Sequence, residues 1–166
     1  MGVLHHLVTF WAAFLATTAR DASTPFSEAF HFDDNEADAN TLAALVIRGG
    51  KTATASLLWT FAAEQRRRPR TGDLSIVTTW QGEPLCVIET TAVTVQAFED
   101  VEATFAAAEG DGSLRHWREV HWAYFARVCD RLGRRPTTRM AVVCERFRVV
   151  YPCGERQDVP PRPETT

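Results

Sequence analysis

The chain has 166 residues, a net charge of −3, and 45% hydrophobic against 23% charged residues. That length supports one domain with a real core, and the composition is ordinary for a globular chain. The small negative charge excludes a protein that coats nucleic acid by bulk charge, so any such contact needs a local patch.

The four cysteines, Cys86, Cys129, Cys144 and Cys153, include no C-x-x-C pair. A zinc knuckle or a disulfide framework is therefore not expected, and the thiols read as reduced and mostly buried in a cytoplasmic protein. No metal and no cofactor are expected. Residues 8–18 are apolar but lack the basic flank of a signal peptide and are too short to span a membrane. The chain is expected to stay off membranes, as a monomer or a homodimer.

In chain order, Leu4, Leu7, Val8, Trp11, Phe14 and Leu15 recur at helical spacing and predict an amphipathic helix over 3–18. A turn-rich stretch follows, then a short strand over 28–32. Asp33, Asp34 and Asn35 offer capping oxygens for a second helix over 36–48. Its inner face carries Leu42, Leu45 and Val46, and Gly49-Gly50 stops it. A strand over 52–58 comes next, then a short helix or turn. Arg66, Arg67, Arg68 and Arg70 form a basic loop, which reads first as a solvated face and second as a phosphate-contacting patch.

Strands are predicted over 74–79 and 85–95, joined by a Gly-Glu-Pro turn. Residues 98–108 have helical composition and end at the acidic loop Glu109-Gly110-Asp111-Gly112. Ser113 caps the longest helix, 114–132. His121 falls on its apolar face, where a core histidine is the commoner reading. A last strand runs over 139–151, before a flexible proline-rich tail at 152–166. Five to six strands linked in this way predict an α+β fold, a small mixed β-barrel with helices packed outside. The chain divides into an N-terminal helix and linker over 1–27, a domain over 28–151 and the tail.

The stretch Gly49-Gly50-Lys51-Thr52-Ala53-Thr54-Ala55-Ser56 carries the chemistry. Lys51 is the only lysine among 18 basic residues. Arginine serves most surface ion pairs as well or better, but it cannot replace a compact ammonium able to lose a proton. Thr52, Thr54 and Ser56 alternate after it and share one face of a strand.

Six segments occur in a recognisable order: Gly50-Lys51-Thr52-Ala53-Thr54, Thr71-Gly72-Asp73-Leu74, Ile88-Glu89-Thr90-Thr91, Ala108-Glu109-Gly110-Asp111, Trp117-Arg118-Glu119-Val120-His121-Trp122 and Val143-Cys144-Glu145-Arg146-Phe147. Together they resemble the ASCH domain family in its larger bacterial form, over roughly residues 28–151. The resemblance implies a barrel related to RNA-binding PUA domains. Small members of that family are amidohydrolases that deacetylate N4-acetylcytidine, through a lysine and a threonine in G-x-K-x-x-T and a glutamate in the acidic loop. The matching residues here are Lys51, Thr54 and Glu109. Those small members follow the threonine with an arginine where this chain has Ser56.

Amide hydrolysis needs a nucleophile, a base for its proton and an acid for the leaving amine. A desolvated lysine gives up its proton more readily and can serve as base toward Thr54. An ionised Glu109 beside it would instead keep Lys51 charged, as a clamp on the developing oxyanion. Strict alternation also places Lys51 and Thr54 on opposite faces, unless Lys51 sits on the bend after Gly50.

The alternative is a non-catalytic module for single-stranded RNA. There Lys51, Thr52, Ser56 and the arginines 66, 67, 68 and 70 contact the ligand, and Trp59, Trp80 or Tyr124 stacks on a base. Trp80, at a hairpin tip, is the best of these; Trp59, Trp117 and Trp122 lean toward the core. A ribonuclease comes last, because no histidine pair stands at a convincing spacing.

Overall fold

A computed structural model of the protein describes residues 2–152. Cys153 and all but the first residue of the predicted tail lie outside them. The element order is α1 (Gly2–Thr17), β1 (Glu28–Phe30), α2 (Glu36–Ile47), β2 (Ala53–Leu57), α3 (Leu58–Ala63), β3 (Leu74–Thr78), β4 (Pro84–Ala97), a 3-10 turn (Phe98–Asp100), α4 (Ala103–Glu109), α5 (Leu114–Arg131) and β5 (Ala141–Tyr151). No helix among the described residues is long and apolar enough to cross a membrane.

The five strands form one curled half-barrel in the order β1-β3-β4-β5-β2. Only β1 pairs in parallel, with β3; the other three pairings are antiparallel. β4 and β5 are the long spine, and β4 bends at two register shifts, after Val87 and after Thr90. Such bulges raise local twist and re-aim side chains. The curl leaves β1 and β2 as edges, and Glu28 and Phe30 of one line the same cavity as Thr54 and Ser56 of the other.

Each helix covers the sheet with a different apolar set. Trp11, Phe14 and Leu15 of α1 pack on Leu74, Ile76 and Val87. The predicted stripe is only half used: Leu4 and Val8 are 71% and 57% exposed. Ala43 and Val46 of α2 meet Val77, Cys86, Ile88 and Phe147. Small alanines, not leucines, let this helix approach, so Leu42 and Leu45 are only half-buried. The largest cluster joins Ala53 and Leu57 of β2 to Phe105, Trp117 and Phe125 of α4 and α5.

The single helix predicted over 98–108 is two pieces. Glu102 breaks it with extended backbone (φ −93°, ψ 159°) before α4 begins. The caps follow local chemistry. The Asn35 side chain accepts from the Asp38 N–H, and the Ser113 hydroxyl accepts from the His116 N–H, satisfying amides with no partner inside their helices.

Candidate functional site

Two glycine turns bring Lys51 and Glu109 together across 58 residues. α2 ends at Arg48, Gly49 turns with φ +76°, and the amides of Gly50 and Lys51 both donate to the Leu45 carbonyl. Thr52 then clips the strand to the end of α4, its N–H donating to the Ala108 carbonyl at 2.7 Å. Gly110, with φ +90°, ends α4 so close to Gly50 that a Cβ on it would stand 3.1 Å from the Gly50 carbonyl oxygen. Only glycine adopts that turn at that approach without strain. Lys51 is therefore fixed before β2 begins.

The Lys51 ammonium donates to Glu109 Oε2 at 2.8 Å, and both side chains are only 3% exposed. The Trp117 indole N–H donates to the other oxygen, Oε1, at 3.0 Å. Burial alone would raise the Glu109 pKa; the charges of Lys51 and His121 outweigh it and bring it down to about 2. Glu109 is thus a carboxylate across the neutral range, hydrogen-bonded to Lys51 Nζ,. Phe32 lies 5.1 Å below the same ammonium as a cation–π partner,.

This pair forms the floor of a cavity of about 390 Å³, walled by Phe32, Thr41, Asp111, His116, His121 and Tyr124. His121 stacks on Trp117, 4.1 Å between ring centres. Its Nδ1 lies 3.0 Å from the Trp117 carbonyl, which can only accept, so that nitrogen carries a proton. Its Nε2 faces Glu109 Oε1 at 3.4 Å, and Nδ1 lies 3.9 Å from Asp111. His121 is therefore a wall of the site and not a core histidine. Asp111 also faces the cavity; burial pushes its pKa up, with the His121 charge opposing and Glu109 adding.

Thr54 does not join this group. It and Ser56 line a second cavity, of about 260 Å³, in the mouth between the two sheet edges. Alternation along β2 decides this: Lys51 and Ala55 face one cavity, Thr54 and Ser56 the other,. The bend after Gly50 is not enough to bring Lys51 and Thr54 to one place. Tyr124 lines both cavities.

A model of the ASCH domain matches residues 28–151. The chain belongs to the ASCH domain family. It is similar to the crystal structure of an ASCH domain from Lactobacillus crispatus JV V101, with 35% identity over 90% of this chain and 96% of that one, at a TM-score of 0.81. A protein of Enterococcus faecalis V583 from the DUF984 family is comparable, with 32% identity, 89% of each chain covered and a TM-score of 0.82. No curated protein matches the chain.

The basic loop of this ASCH domain is only partly available. Arg66 pairs with Glu28 and Glu64, and Arg67 grips Asp73 with two nitrogens. Arg68 and Arg70 have no side-chain partner among the described residues and border a shallow cleft with Trp59. Trp59 is half-buried against the main core, and Arg134 stacks on it at 4.5 Å. Trp80 is 37% exposed beside the His31 ring. Thr52 is exposed and serves the clip described above.

Asp111, His116 and His121 were not among the residues expected at the site. The signal for Asp111 was its place in the acidic loop two residues after Glu109; His116 and His121, in the first half of α5, are not on one helical stripe and gave no spacing signal. Glu109, Asp111 and His121 form a group whose ligand atoms lie within 4.8 Å of one another. Both Glu109 oxygens are already taken by Lys51 and Trp117, and a neighbouring ammonium opposes a cation, so this donor set fits a metal poorly.

Proposed function

We propose that this ASCH domain hydrolyses an acylated nucleoside, of the N4-acetylcytidine kind, in the Lys51 cavity. The observation that carries the reading is the buried Lys51–Glu109 pair on the floor of a nucleoside-scale cavity. A buried ion pair is poor value for stability, since apolar residues of similar volume often do as well or better. A fixed ammonium in a water-poor site is valuable where negative charge develops.

With Thr54 turned away, water is the attacking group. Asp111 accepts a proton as the water oxygen bonds to the acyl carbon. The resulting oxyanion is stabilised by Lys51. The acyl C–N bond then breaks, the proton passes from Asp111 to the leaving exocyclic amine, and the products are a carboxylic acid and the free nucleoside. Glu109 and Trp117 hold Lys51 in place, and Phe32 and Tyr124 offer ring faces to the base.

The test is release of acetate from N4-acetylcytidine. Asp111→Asn should lower kcat by about 10²–10⁴-fold, the usual contribution of a general base. A wild type that turns over no acylated nucleoside ends this reading.

One observation favours a second reading, cleavage of single-stranded RNA. His116 and His121 line the same cavity as Lys51. The sequence offered no convincing pair at a spacing of five, but α5 brings both to one opening, where acid and base roles can be divided.

A further inference from the structure

The second cavity has features that the hydrolytic reading does not use. Thr54 and Glu145 are direct cross-strand partners on β2 and β5, so their side chains share a face. Both line the cavity between the sheet edges, with Ser56, Glu28, Arg131 and Tyr124. Glu145 Oε1 accepts from the Thr90 hydroxyl at 2.6 Å, and no basic side chain pairs with it among the described residues. Glu28, by contrast, has Arg66 at 2.8 Å, and Arg131 is drawn to Asp34. Burial pushes the Glu145 pKa up, and Glu28 and Asp73 add to it. Glu145 is thus a half-buried carboxylate held in one orientation by Thr90, with acceptor capacity left over and no cation to use it.

The two cavities lie on the two faces of β2, whose outer edge is free because it pairs only with β5. Tyr124 reaches across and lines both. Its phenol is kept protonated by burial and by the nearby Asp33 and Asp34 charges, so it can donate a hydrogen bond at the boundary of the two cavities, while Arg127 lies over its ring at 5.6 Å.

We propose that the substrate is a cytidine within a single strand, its base in the Lys51 cavity and a neighbouring guanine in the edge cavity, read by Glu145. Guanine is the base whose pairing edge presents two adjacent N–H donors, which a carboxylate accepts together; cytosine and adenine offer one amino group there. Tyr124 borders both cavities, so its phenol marks the step at which two neighbouring bases are splayed apart and read separately. This inference rests on the nucleoside reading of the Lys51 cavity.

Calorimetric titration separates the two. The ligands are cytidine, guanosine 5′-monophosphate, and dinucleotides pairing cytidine with guanosine or with adenosine, in both orders. A guanine-containing dinucleotide of one order should bind at least about 10-fold tighter than cytidine, and the adenine version should lose the gain. Glu145→Gln should abolish the gain and leave cytidine binding unchanged. Ser56→Phe, which fills the cavity from the strand edge, should do the same. Cytidine binding with no gain from guanine overturns this inference alone. Guanosine monophosphate binding that depends on Glu145, with cytidine not bound, overturns the Lys51 reading and keeps the guanine cavity. Binding of neither overturns both.

Discussion

The two cavities flank one strand and treat their carboxylates in opposite ways. Glu109 has a lysine, an indole N–H and a histidine around it, and its pKa falls to about 2. Glu145 has one threonine hydroxyl, and its pKa rises. The first group is satisfied within the protein and holds a cation ready. The second keeps acceptor capacity for something the protein does not supply. The two faces of β2 thus carry one satisfied carboxylate and one with acceptor capacity left over, and the proposed reacting centre and reading pocket rest on that contrast.

The largest expected effect breaks the first cavity. Lys51→Ala leaves Glu109 buried without its ammonium partner, with Trp117 and His121 remaining beside it, which should destabilise the fold by about 3–5 kcal/mol. Denaturant titration should show that Lys51→Met combined with Glu109→Leu restores much of that loss. A double variant no more stable than Lys51→Ala alone would mean that the pair is kept for the fold. Gly110→Ala comes next. It forces a side chain into left-handed backbone at a cost of about 1–2 kcal/mol and presses on the Gly50 carbonyl, so thermal melting should fall while activity falls further, as Lys51 and Glu109 separate.

Acid sharpens the comparison, because the two carboxylates respond with opposite sign. The Glu109 pKa is lowered in the fold, so its contribution is present above the ordinary 4.5 and lost as pH drops toward about 2,. The Glu145 pKa is raised, so protonation relieves it and stability from this group is greatest at low pH, fading as pH rises through its folded value. Wild type minus Glu109→Gln stability should shrink on acidification. The smallest effect is that of Glu145→Gln at neutral pH. It keeps an oxygen for Thr90 and removes an uncompensated charge, so the melting temperature should hold or rise by a few degrees even as ligand discrimination is lost. A drop in melting temperature would assign Glu145 to the fold.

Much of this molecule was legible from the residues because local rules acted without opposition. Asn35 and Ser113 cap helices where capping chemistry placed them. Gly49-Gly50 ends α2, and the lone lysine after it meets the acidic loop. Thr54 could not be placed by motif order alone, since strand alternation wins over proximity in sequence and turns it to the other face. His121 read as core because an apolar helical face looks the same whether it meets packing or the rim of a cavity. Glu145 gave no signal of its own, because its meaning comes from Thr54 on one neighbouring strand and Thr90 on the other. The inner face of α2 was foreseen in Val46 and in part in Leu42, but Ala39 and Ala43 were missed, because close approach to the sheet selects small side chains that carry little apolar signal.

The central claim is that a charged Lys51 performs chemistry on a nucleoside in its own cavity. Steady-state turnover of N4-acetylcytidine by wild type, Lys51→Ala and Thr54→Val, each confirmed folded, tests it most directly. Lys51→Ala should lose about 10²–10³-fold in kcat or more, the scale of a lost oxyanion donor, and Thr54→Val should turn over near the wild-type rate. Full activity in a folded Lys51→Ala protein, or loss of activity in Thr54→Val alone, would contradict it.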